Sequence, residues 1–151
     1  MGRVALRPHI VGEGRVRRFT ISADRVGPRR WCLVRVHDTV EQLRAAAHRT
    51  APWHGQDWWD GCVGCFQPSP VRMDAETGAV IDGAYAGILR LAEGWVSAEI
   101  VAHELVHAAL TVYRMNVSAD VRLGDGCRRR EEQFAYIYGQ LYASFEAKFH
   151  Q

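Results

Sequence analysis

His103-Glu104-Leu105-Val106-His107 sets two imidazoles four residues apart with a carboxylate between them. On an α-helix, positions i and i+4 share a face one turn apart, so both rings can be aimed at one cation. Zinc accepts neutral imidazole nitrogens at about 2.0–2.1 Å, and catalytic zinc sites use three protein ligands and keep a position for water. Glu104, rotated by about 100° from His103, reaches the water side without being a ligand itself. The chemistry this set can do is hydrolysis. The metal acidifies a bound water, and the carboxylate takes the proton and passes it to the leaving amine. His103 and His107 are therefore the candidate metal ligands, and Glu104 is the candidate general base.

A third ligand must come from elsewhere: a downstream histidine, a downstream carboxylate or an upstream histidine. The stretch after His107 reads AALTVYR, so there is no HExxHxxGxxH extension, and His150 is the one downstream histidine. Asp120, Asp125, Glu131 and Glu132 are the nearer carboxylates. On the last helix Phe134, Tyr138, Leu141 and Phe145 form a large apolar stripe with Glu131 near its edge. Glu132 lines up instead with Ala135, Gly139 and Ala143. Small residues let two backbones approach, and Gly139 inside a helix costs about 1 kcal/mol against Ala, which calls for a packing reason. Glu132 is the preferred third ligand and Glu131 the second choice.

The elements that must position these groups follow from the pattern. Residues 17–22 (RRFTIS) alternate and residues 30–36 (RWCLVRV) are rich in β-formers, so both predict strands. Asp38-Thr39 offers an N-cap for a helix to about Arg49. Residues 50–61 (TAPWHGQDWWDG) predict a loop folded over its own rings, with Trp53, Trp58 and Trp59 either capping a small core or forming a substrate wall. A short strand is expected over 62–66, a polar excursion over 73–83, and a strand over 86–92 with Ile88 and Arg90 facing one way and Leu89 and Leu91 the other. Two long helices close the chain, one from the N-cap Ser97 to about Arg114, the other from about Arg128 to about Phe149. The expected class is α+β, one domain over 1–151 with the motif-bearing part at about 86–149: a small mixed sheet, the HExxH helix and a second long C-terminal helix.

Composition narrows the function classes. At 151 residues and 48% hydrophobic content the chain can build one core, and a net charge of +2 gives no case for nucleic acid. The arginine clusters at Arg15, Arg17 and Arg18, at Arg29 and Arg30, and over 128–130 are short enough to be solvated edges. No signal peptide or membrane span is legible, and a soluble cytoplasmic protein is expected. Cys62-Val-Gly-Cys65 has the spacing of half a structural zinc site, with no second close Cys or His pair behind it. Ordinary reduced thiols are the first expectation for this pair, with Cys32 and Cys127 the other two cysteines; a second zinc or a redox couple are the alternatives.

Over residues 86–142 the strand AGILRL, the helix VSAEIVAHELVHAAL and the helix REEQFAYIYGQLY resemble the small gluzincins, zinc peptidases whose HExxH helix is completed by a glutamate on a later helix. The likeness is greatest to minimal domains of phage and mobile-element peptidases. It implies a zincin-like topology, one catalytic zinc on His103, His107 and Glu132, and a protein or peptide substrate laid along an edge strand at residues 86–91. The chain lacks the Asn-Glu-x-x-Ser-Asp string of larger members and has Tyr136 there, so the partner of the ligand histidines is unassigned. Tyr113, Tyr136, Tyr138, Tyr142 and His150 are the candidates for stabilising an oxyanion. The expected activity is a zinc-dependent endopeptidase, the alternative a zinc-binding regulatory module without turnover.

Overall fold

The computed structural model describes residues 16–70, 75–77, 83–117 and 128–151. Asp120, Asp125, Cys127, Arg15 and most of the expected polar excursion lie outside these residues. Four strands, β1 (Arg17–Ala23), β2 (Arg30–His37), β3 (Gly64–Pro68) and β4 (Tyr85–Ala92), join three helices, α1 (Val40–Thr50), α2 (Ala98–Val117) and α3 (Arg128–Phe149). The class is α+β with a mixed sheet, ordered β1-β2-β4-β3. β1 runs antiparallel to β2, β2 parallel to β4, and β4 antiparallel to β3.

Placing β4 inside the sheet corrects the expectation that residues 86–91 form an edge. The edge strands are β1 and β3. The reason lies in β4's own residues: Ala86, Gly87, Leu89, Arg90, Leu91 and Ala92 are all buried, a pattern that belongs to a strand covered on both faces and flanked on both sides. Leu89 and Leu91 face α2 and α3, in one core with Ile21, Val34, Val36, Leu105, Val112, Ile137, Leu141 and Phe145. Arg90 points to the opposite face, where α1 lies, and meets Thr50 of that helix. The sheet is thus a middle layer between α1 and the α2–α3 pair.

Local chemistry sets the helix positions. Thr39 caps α1 by accepting from the Gln42 backbone N–H, and Ser97 caps α2 by accepting from Ile100. In α2, Val101, Leu105, Ala108 and Val112 recur at helical spacing and are buried, which leaves His103, Val106 and His107 on the outer side. A fully buried Leu such as Leu105 stabilises by about 1.5–3 kcal/mol, so the motif's own apolar member fixes the helix's rotation. The helix α3 is held over β1. The Gln140 amide oxygen accepts from the backbone N–H groups of Asp24 and Arg25 at 3.1 and 2.9 Å, and Lys148 Nζ donates to Thr20 at 2.5 Å.

Candidate functional site

The two motif histidines converge. Their Nε2 atoms stand 3.3 Å apart, with the rings inclined at 67°. In a tetrahedral shell with Zn–N of about 2.0–2.1 Å, two ligating nitrogens lie about 3.3–3.4 Å apart. The separation suits a shared cation as well as a shared proton, and both rings are exposed on the outer side of α2, where an ion can reach them.

Glu104 is different. It is 8% exposed, and the backbone N–H of Phe66 in β3 faces its carboxylate. Burial moves its pKa up, opposed by His103, His107 and that N–H. A carboxylate moved toward neutrality is better matched to taking a proton from an activated water. Gly64, at the start of β3, permits the approach, since a Cβ there would meet Ile100 Cγ2 of α2 at 2.8 Å.

Glu104 and His107 border an open cleft of about 840 Å³ beside β3, an edge strand among the described residues. Phe66, Gln67, Pro68 and Ser69 form its floor, and Thr50 and Ala51 at the end of α1 its far side. The Trp-rich segment, a 3-10 turn over Gln56–Trp59, makes the outer wall. The capping expectation holds at Trp59, buried against Ala47 and Ala51, while Trp53 and Trp58 are 75% and 65% exposed and line the cleft. His54 stacks on Trp58 with ring centroids 4.5 Å apart, which stiffens the wall.

Glu132 is not brought to this pair. It lies on the exposed side of α3, and among the described residues no three His, Cys, Asp or Glu side chains gather around one point. Ala135, Gly139 and Ala143 are exposed too, and a Cβ on Gly139 would meet nothing within 4 Å. The small-residue stripe therefore faces solvent, and the close-packing argument that favoured Glu132 over Glu131 does not hold. The buried stripe of α3 runs through Ile137, Leu141 and Phe145 and docks the helix toward β1, the far end of the sheet from β3. The five oxyanion candidates also lie outside the cleft wall. Tyr113 is buried with an unpartnered hydroxyl, Arg25 stacks over Tyr136, and His150 pairs with Glu146.

Two features went unforeseen. Phe66 acts through its backbone, which its side-chain type does not reveal. Arg90 is 2% exposed and its guanidinium donates to Gln67 Oε1 at 2.7 Å and Thr50 Oγ1 at 2.8 Å, with His37 Nε2 at 3.5 Å. Its signal was present in the sequence: a lone charge inside the apolar run AGILRLA. No family model, no curated protein and no solved structure matches the chain.

Proposed function

We propose that this chain is a zinc-dependent metallopeptidase, with His103 and His107 as two of the metal's ligands and Glu104 as the base. The observation that carries this is the pairing of two outward imidazole nitrogens at 3.3 Å with a buried carboxylate on the adjacent residue, at the lip of a peptide-sized cleft. A bound zinc would supply Lewis acidity and an acidified water at neutral pH. Glu104 would hold and move the proton, with the Phe66 N–H beside it favouring the ionised carboxylate. An extended peptide would lie along β3, an edge strand among the described residues, with side chains against Trp53 and Trp58. That arrangement favours cleavage within a chain.

Glu132, preferred on a small-residue stripe that is in fact exposed, stays the proposed third ligand on the resemblance to gluzincins. Free thiols at Cys32, Cys62 and Cys65 fit the cytoplasm as the proposed location, and no described helix is long and apolar enough to cross a membrane. Digestion of a peptide mixture tests the activity. Cleavage is expected from the zinc-loaded chain, abolished by a chelator and by Glu104→Gln. No cleavage from wild type with zinc bound would leave the chain a zinc-binding module without turnover, and equal cleavage by Glu104→Gln would remove Glu104 as the base.

A further inference from the structure

Cys62 and Cys65 occupy the same cleft as Glu104, on the α1 side of β3. Each thiol is the largest influence on the other's titration, and Cys62 Sγ donates to the Gly64 carbonyl at 3.0 Å. The backbone around Cys62 is pinned. Its N–H donates to Trp59 O at 3.0 Å, and its carbonyl accepts from Arg44 Nε at 3.0 Å. Gly61 immediately before it takes a left-handed φ of 78°, the turn that delivers the thiol into the cleft. Cys65, the second residue of β3, is paired directly with Arg90 of β4.

Arg90 makes the pair unusual. It is a buried guanidinium whose partners are Gln67, Thr50 and His37, and among the described residues it has no carboxylate. The bond to Cys62 and burial outweigh its pull on Cys65, so the anion of the pair settles on Cys62, which Arg44 also favours. A buried cation without a matching anion is costly, and a thiolate shared by two sulfurs is the neighbouring group able to offset it.

We infer that Cys62 and Cys65 form a redox-active dithiol in the cleft, which small-molecule disulfides of the glutathione type oxidise reversibly. Cys62 is the attacking sulfur and Cys65 the resolving one. The Cys62 thiolate bonds to one sulfur of the disulfide, whose S–S bond breaks and releases one thiolate. Cys65 then gives its proton to solvent and bonds to Cys62 Sγ, which expels the second thiolate. Two electrons pass from the protein to the small disulfide.

The order of attack follows from the surroundings. The hydrogen bond from Cys65 is the main influence that lowers Cys62 to about 7, so much of it is thiolate at neutral pH. Cys65 is moved up by that same bond and by burial. Cys32 is fully buried and pushed up to about 12, an inert thiol. Oxidation would tighten the turn at the head of β3, next to Phe66, but the redox chemistry itself stands apart from any peptidase activity.

The test treats the full-length chain with oxidised glutathione at neutral pH, then maps its thiols by alkylation and mass. In wild type a Cys62–Cys65 disulfide is expected, reopened by reduced glutathione, with Cys32 still a thiol. Cys65→Ser is expected to stop at glutathione joined to Cys62, and Cys62→Ser to capture at least about tenfold less at Cys65. A wild-type pair that stays reduced, a disulfide that joins Cys62 to Cys127 instead, or equal capture by the two variants would each overturn the assignment.

Discussion

The backbone N–H of Phe66 in the edge strand β3 faces Glu104 and opposes the burial that moves this carboxylate's pKa up. Gly64 is what lets strand and helix meet, with Ile100 Cγ2 and Glu104 Cγ at 2.8 and 3.5 Å from where its Cβ would stand. Gly64→Val should push β3 from α2 and lower stability by about 2 kcal/mol. Denaturant unfolding measures this, and an unchanged midpoint would show that the contact is slack.

Gly87 has φ 152°, and a Cβ on it would lie 2.4 Å from the Gln67 carbonyl oxygen and 2.9 Å from Pro68 Cα. Both obstacles are backbone, so neither can rotate away. Gly87→Ala should cost about 3 kcal/mol or more, from strain and loss of the β3–β4 register. Thermal unfolding of this variant is expected well below that of Gly139→Ala, whose added methyl meets open space and improves helix propensity.

His37 carries a pH dependence that can be signed. Burial and the nearby guanidinium of Arg90 lower its pKa to about 4, and Arg90 can only donate, so Nε2 accepts and the folded ring is neutral. The unfolded chain binds the proton near pH 6.5, the folded one not until about 4. Stability from this residue is therefore full above about pH 6.5 and is lost as pH falls toward 4, a drop on the order of 3 kcal/mol. His37→Gln should flatten the fall in unfolding free energy between about pH 6.5 and 5, where carboxylates contribute less. A slope equal to wild type's would place the titration elsewhere.

The neighbouring tryptophans Trp58 and Trp59 should behave as opposites. Trp59 is buried under α1, and Trp59→Ala should cost about 3 kcal/mol of stability. Trp58 is exposed at the cleft wall, so Trp58→Ala should stay within about 0.5 kcal/mol of wild type while raising KM for a peptide several-fold. An unaffected KM would remove Trp58 from the substrate wall.

Much of this was legible in the sequence where period and caps speak together. Thr39 and Ser97 start their helices as expected, and the buried positions of α2 follow from Val101, Leu105 and Ala108. Periodicity could not order the strands. An eight-residue apolar run suits an interior strand, and the parallel pairing of β4 with β2 is set by tertiary packing. The stripe through Gly139 misled because helical spacing states which residues share a face but not which face is covered. Ile137, in register with Leu141 and Phe145, settled that in favour of the opposite side.

The most direct measurement is zinc bound per chain at equilibrium, by metal analysis after dialysis against buffered zinc. One tightly held zinc is expected in wild type and in Glu104→Gln, with loss in His103→Ala and in His107→Ala; Glu132→Ala separately tests the third ligand. Wild type without bound zinc, or histidine variants that retain it undiminished, would contradict the metal centre on which the proposed function depends.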